Sequence, residues 1–235
     1  MTASFVYVRK VFAAMALASL ALSAACAPKD GGADSVRLTA SVTEPISIAK
    51  QRSEDLTGDG NAEKLTLTAR GARMDSLPVR LEIRSPGDSL LYASSWDSHY
   101  YFQYVERAEL SDAAADSIVR HHLDVVLADT AFRTVPTATT ADTIGPSMMR
   151  DAIRYDIAAH RWRVSHGLQA AAEIPPAARD TINTLASAVS RADIETLFRE
   201  LRGRKSFTYF AGGEVTYSIA WSDREQRFVT IFSCC

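Results

Sequence analysis

Cysteine is scarce in this sequence of 235 residues: only Cys26, Cys234 and Cys235 occur, so no disulfide framework staples the fold. Neighbours in sequence such as Cys234 and Cys235 close only a strained ring, and no distant thiol stands within the folded part. A surplus of charge of one sign is also missing. Lys plus Arg total 26 against 28 for Asp plus Glu, a formal net charge of −2. A phosphate backbone is held by a basic surplus, so no nucleic-acid partner is expected. A chain of this length leaves no room for a long repeat array. Hydrophobic residues at 47% and charged ones at 23% are the balance of a chain that folds. Among His99, His121, His122, His160 and His166 no two stand four apart on a helix face, which removes a locally assembled zinc pair. No nucleophile, base and orienter fall at a recognisable spacing, although such sets also assemble from distant residues.

What is present begins with an address. Arg9 and Lys10 precede an uncharged run, Val11 to Ala25, that ends in Leu22-Ser23-Ala24-Ala25-Cys26. A positive segment, a short apolar stretch and small residues are the parts of an export signal, and the run is short of the ~20 residues that span a bilayer. The segment resembles a bacterial lipoprotein signal peptide. That resemblance implies cleavage before Cys26 and a diacylglycerol thioether on its sulfur, with the leucine four residues ahead of the cysteine instead of three. It also implies a membrane contact through the lipid, in the cell envelope, at the periplasmic face of the outer membrane since Ala27 is not aspartate. Removing residues 1–25 takes the net charge from −2 to −4, because Arg9 and Lys10 leave with no acid. Residues 26–34 then read as anchor and tether, since Ala27-Pro28-Lys29-Asp30-Gly31-Gly32-Ala33-Asp34 offers nothing to a core. Residues 35–235 form one domain in this reading, and a chain of that size buries about 70% of its unfolded surface.

Within that domain the patterning changes twice. Leu65, Leu67 and Ala69 alternate with Lys64, Thr66, Thr68 and Arg70, and Val79, Leu81 and Ile83 alternate with Arg80, Glu82 and Arg84. Period two with one polar face predicts half-buried antiparallel strands from Val36 to about Tyr104, turning at Thr57–Asn61, Gly71–Asp75 and Ser85–Asp88. Helical spacing follows: Ile118, Val119, Leu123, Val126 and Leu127 after Ser111-Asp112, then Met149, Ile153 and Ile157 from Pro146. Ile182, Leu185 and Val189 mark a third helix after Pro175-Pro176. Ser190 predicts an N-cap with Asp193 opposite for a fourth, bearing Ile194, Leu197, Phe198 and Leu201. Residues 130–145 read as a long connection. Strands return at Phe207–Phe210, Val215–Trp221 and Arg227–Ser233, with Ala211-Gly212-Gly213-Glu214 as a hairpin. Strands, helices and strands in blocks predict an α+β fold, an N-terminal antiparallel meander and C-terminal hairpin strands in one sheet covered by the helices.

Four clusters carry candidate chemistry. Gly87-Asp88-Ser89-Leu90 spells the motif of the GDSL hydrolases, but it follows Pro86 between two strand patterns. No Asp-x-x-His accompanies it, so a hairpin turn is expected there and not a nucleophile. Trp96, Tyr100, Tyr101, Phe102 and Tyr104, with Phe207, Tyr209, Tyr217, Trp221, Phe228 and Phe232, are expected to fill a sheet core with Tyr hydroxyls at its rim; the alternative is a stacking surface for sugar or peptide. His160 and His166 flank Arg161-Trp162-Arg163, read as a solvated helix end beside a buried Trp.

The remaining cluster is Asp55, Thr57, Asp59, Asn61 and Glu63, with Gly60 at the sixth position where a loop must turn sharply to aim oxygens at one cation. It resembles a single calcium loop of the FG-GAP and VCBS repeats, with Thr57 and Glu63 in place of the usual residues. That implies a structural Ca²⁺ held by Asp55, Thr57, Asp59, the Asn61 carbonyl and Glu63. Taken together, the expectation is an exported, lipid-anchored envelope protein with a non-catalytic binding or structural role, its protein or glycan partner unspecified; the alternative is an envelope hydrolase.

Overall fold

The meander forms because each strand hides one face. In the computed structural model, which describes residues 45–102, 105, 110–136, 146–170, 172, 174–211 and 215–234, β1 (Ile46–Glu54), β2 (Glu63–Gly71), β3 (Pro78–Arg84) and β4 (Leu90–Asp97) pair antiparallel in chain order. Leu65, Leu67, Leu81 and Ile83 are buried, and Leu65 lies opposite Ile83. Each such side chain contributes roughly 1.5–3 kcal/mol by leaving water. The β3–β4 turn closes at Ser85, whose N–H donates to Ser89 O at 2.9 Å while Asp88 takes φ 63°. The Gly-Asp-Ser-Leu segment is therefore hairpin, as its context predicts.

The expected single sheet is in fact two sheets. β5 (Phe132–Thr134), β6 (Lys205–Phe210), β7 (Thr216–Ser222) and β8 (Arg227–Cys234) form a second antiparallel four-stranded sheet. Its first strand lies inside the stretch read as a connection. Three residues are too few to show a period, but Phe132 pairs with Phe207, and Val135 N–H donates to Arg204 O at 2.8 Å. Both faces of this sheet are covered. Phe207, Tyr209, Ile219, Trp221 and Phe228 meet the first sheet; Ala220, Val229 and Ile231, alternating with them, meet the helices. The architecture is thus sheet, sheet, helices, and all the described residues belong to one compact unit, Val36–Cys235.

The aromatic residues lie between the sheets. Trp96 stacks on Tyr209 with centroids 5.7 Å apart, and Tyr92 meets Phe228 edge-on at 6.1 Å. Two of the hydroxyls expected at the rim, those of Tyr209 and Tyr101, are inside: Tyr209 OH meets Tyr92 OH at 2.7 Å, and Trp96 Nε1 donates to Tyr101 OH at 2.6 Å. A ring can sit this deep only because its polar tip finds a partner. Tyr100 is the exposed member of the series, and Tyr104 lies outside the described residues.

Helix α1 (Asp112–Val126) starts where Ser111 caps it, its hydroxyl accepting from Ala114 N–H at 3.3 Å, and buries Ala115, Val119, Leu123 and Val126 in the inter-sheet core. Helix α2 (Pro146–Ser165) lays Met149, Ile153, Ile157 and Trp162 on the outer face of the second sheet. Helix α3 (Arg179–Ser187) is shorter than expected: it buries Ile182, leaves Leu185 exposed and ends before Val189, which reaches the core from the following turn. Helix α4 (Arg191–Leu201) opens as expected, Ser190 Oγ accepting from Asp193 N–H at 3.1 Å. No helix among the described residues is long and apolar enough to cross a membrane. The leader, Cys26, the tether and the Gly212-Gly213-Glu214 turn lie outside the described residues.

Candidate functional site

The acidic loop joins β1 to β2, and its carboxylates are turned onto the loop itself. Asp55 Oδ1 accepts from Gly58 N–H at 2.7 Å and Oδ2 from Gly60 N–H at 3.2 Å. Both glycines take the left-handed conformation, φ 79° and 88°, that this wrapping requires. Glu63, 1% exposed, accepts through Oε2 from Leu56 N–H at 2.7 Å and Thr57 N–H at 3.2 Å, and through Oε1 from the Thr57 hydroxyl at 3.0 Å. Asp59 accepts from Asn61 N–H at 2.8 Å, and this bond holds its carboxyl below the usual range. The sequence thus brings Asp55, Thr57, Asp59, Asn61 and Glu63 into one loop. Among the described residues no three His, Cys, Asp or Glu side chains are grouped closely enough to hold a metal ion. The Asp55 and Asp59 oxygens and Glu63 Oε1 each keep a second lone pair, whereas Glu63 Oε2 uses both on the Leu56 and Thr57 N–H groups.

A different site arises where α2, α4 and the β7–β8 turn converge. The turn is tied down by Glu200 of α4, whose Oε1 accepts from Ser222 Oγ at 2.8 Å and from Arg224 N–H at 3.2 Å. That tether sets Arg224 and Glu225 at the mouth of a cleft of about 90 Å³. His160 and Arg161 of α2, Asp193 of α4 and Arg227 of β8 complete its polar lining; Ile157 and Leu197 form its apolar wall. The volume suits a small group, since pockets for larger ligands run to about 300–1,000 Å³.

The charges of the cleft are paired, but not all its donors are used. Arg161 Nη2 meets Asp193 Oδ2 at 2.9 Å, and Arg224 Nε meets Glu225 Oε1 at 3.7 Å. Asp193 is held below the usual carboxylate range, first by the Ser190 hydroxyl and then by Arg161. Arg227 is buried, its side chain 5% exposed; Nη1 donates to Asp156 Oδ2 at 2.5 Å and to Phe228 O at 3.2 Å. Asp156 is itself buried and takes Thr230 N–H on Oδ1 at 3.0 Å, beside the register shift of β8. Arg227 Nε and Nη2 and His160 Nδ1 are enclosed without a partner. Burial, with the Arg227 charge second, pushes the His160 imidazole down from its ordinary value.

The basic cluster is, as expected, a solvated helix end beside a buried Trp, with Arg161 and His166 exposed and Arg163 half-buried. Trp162 is buried and stacks on His166 at 4.2 Å, Arg163 donates to Ala172 O at 2.7 Å, and Arg161 turns to the cleft. His122 stacks on Tyr101 at 4.5 Å, and His99 pairs with Asp97 at 3.1 Å on the surface. Asp156 and Arg227 escape the sequence reading, although one signal exists. Arg227 stands in step with Val229 and Ile231 on the inward face of β8, and a charge in that register must be paired. No protein-family model matches the chain, and no significant match was found among curated proteins or solved structures.

Proposed function

We propose that this chain is an exported envelope protein, lipid-anchored through Cys26 at the periplasmic face of the outer membrane, whose domain binds a ligand without transforming it. The observation that carries the location is the leader: Arg9 and Lys10, the uncharged run to Ala25, and the small residues before Cys26. The observation that supports binding is the cleft, where Arg227 leaves the Nε–H and Nη2–H donors unused for holding a ligand. Growing cells with a labelled fatty acid tests the anchor. Wild-type protein takes up label and Cys26→Ala does not; equal uptake by the two refutes it.

A second reading is an envelope hydrolase, favoured by one observation: the cleft gathers His160 with Asp193 and Glu225. Esterase, peptidase and glycosidase substrates decide between the two, since turnover abolished by a single substitution at these residues ends the binding-only reading. Within the same proposal, Asp55, Thr57, Asp59, the Asn61 carbonyl and Glu63 hold a structural Ca²⁺, and because their carboxylates are turned onto the loop and not grouped closely enough here, binding redraws the loop around the ion. Saturation at 100 times the dissociation constant stabilises a folded state by about 2.7 kcal/mol. Melts of the full chain in millimolar calcium and in chelator then differ for wild type and coincide for Asp59→Ala; coincident wild-type melts remove the ion.

A further inference from the structure

The edge of Arg227 left bare is a particular one. Nε–H and the adjacent Nη2–H point the same way and form the fork that a carboxylate or a phosphate fills with two of its oxygens. The opposite nitrogen, Nη1, is already committed to Asp156 and Phe228 O. A buried guanidinium edge without acceptors is costly, and Arg227 lines a cleft that has room for one small group.

Charge balance then says what must accompany that group. Arg161, Arg224 and Arg227 face Asp193, Glu225 and Asp156, so these pairs hold no spare positive charge for an entering anion, and the further cation nearby, Arg163, is turned to the Ala172 carbonyl. His160, with Nδ1 unpartnered, is the group able to answer the anion's charge. Around it stand Asp156, Arg161 and Arg163 on its own helix, Asp193 on α4, Arg224 and Glu225 on the turn, and Arg227 on β8. Deepening the binding role above, we propose that the cleft takes one small oxyanion group, carboxylate or phosphate-like, on the Nε–Nη2 edge of Arg227, and that His160 takes up a proton as it enters. Both nitrogens are closed off from water, so the group reaches them as a lining side chain moves aside, and Arg224 is the most exposed arginine of the lining. Its 3.7 Å pair with Glu225 is the longest of the three, and its side chain is 53% exposed.

The test uses the full chain in detergent, titrated with sulfate, inorganic phosphate and acetate against chloride at constant ionic strength. The expected result is a shift of one arginine Nε–H resonance, saturable with an oxyanion and absent with chloride. Sulfate or phosphate acting alone assigns the tetrahedral class, and acetate alone assigns the carboxylate class. Arg227→Lys keeps the charge and loses the fork, so binding weakens at least tenfold, about 1.4 kcal/mol. Should that variant not fold, His160→Gln carries the test: wild-type sulfate affinity rises as pH falls from about 7.5 to 5.5, and the variant's stays flat. No resonance shift, the same response to chloride, equal binding by a folded Arg227→Lys, or a pH profile unchanged in His160→Gln overturns the proposal. If the shift fails while Cys26 still takes up fatty acid, only the ligand class falls and the envelope assignment stands.

Discussion

Removing the Asp156 carboxylate should cost this domain more than any surface charge. Asp156 and Arg227 are 8% and 5% exposed, joined at 2.5 Å, and Asp156 also takes the Thr230 N–H at 3.0 Å. Asp156→Ala leaves the guanidinium inside with only the Phe228 carbonyl, at 3.2 Å, and strands a strand N–H as well. Breaking a buried pair from one side costs about 3–5 kcal/mol, because the remaining charge has lost both water and partner. That is a large share of the ~5–15 kcal/mol that holds a domain together. At about 2–4 °C per kcal/mol for a chain of this size, a loss near 4 kcal/mol lowers Tm by roughly 8–16 °C. In urea the midpoint falls with the slope unchanged. The double variant Asp156→Leu with Arg227→Met removes both charges and fills the space. It should recover most of the loss, since an apolar pair of similar volume is often neutral or better than a buried ion pair. A cost below about 1 kcal/mol for Asp156→Ala, or a double variant worse than either single one, refutes the claim that these charges are buried and mutually dependent.

Three further outcomes follow from the geometry. Ser98 is fully buried; its hydroxyl donates to Met74 O at 2.6 Å and accepts from Leu77 N–H at 2.8 Å. Ser98→Ala orphans both and should cost about 2–4 kcal/mol in urea unfolding, whereas a change under 0.5 kcal/mol would mean that water replaces the hydroxyl. Burial holds His122 and His160 below their ordinary value of 6.5. The unfolded chain therefore protonates first, and their contribution is present above about pH 6.5 and lost as pH falls toward the folded-state values. Tm scans should show that decline, and His122→Phe, which keeps the stack on Tyr101, should flatten part of it; a wild-type Tm constant down to pH 5 contradicts the burial. Burial of the hydroxyls pushes Tyr92 and Tyr101 up to about 12. Against unfolded phenols near pH 10 their stability holds below that value and is lost as pH rises toward 12. Phenolate absorbance should then rise in two phases, the later one coincident with unfolding; a single phase near pH 10 sinks the inter-sheet placement of these rings.

Local rules and long-range geometry divide what the sequence discloses. Ser111, Pro146 and Ser190 mark helix starts within a residue because a cap is settled by its own few neighbours. The meander is legible for the same reason, since Leu65 and Leu67 alternate with Lys64 and Thr66 wherever one face is wet. The division into two sheets is hidden by the middle layer. Ala220 and Trp221 face opposite ways yet are both buried; the face of β7 that carries Thr216, Ser218 and Ala220 is small and polar and so reads as a wet one, and nothing local says that a second layer covers it. Leu185 errs the other way: its spacing is that of a buried face, but α3 ends too soon to carry the face onto the core.

The cleft is harder still, because its chemistry is made by residues that no motif links. Arg227 and Asp156 are 71 positions apart, and each alone looks like a solvated charge. What the sequence does contain is a conflict: an arginine in register with Val229 and Ile231, and an aspartate beside Ile157 on the face that also carries Ile153. A buried charge in an apolar register has to be repaid by a partner, and once Nη1 is repaid by Asp156 the remaining edge poses the same question again. Function in such a chain is found where the fold satisfies most of a buried charge and leaves one side of it open, which is why the oxyanion titration, with its direct reading of the arginine Nε–H, bears on the domain's role more sharply than any search for a catalytic set.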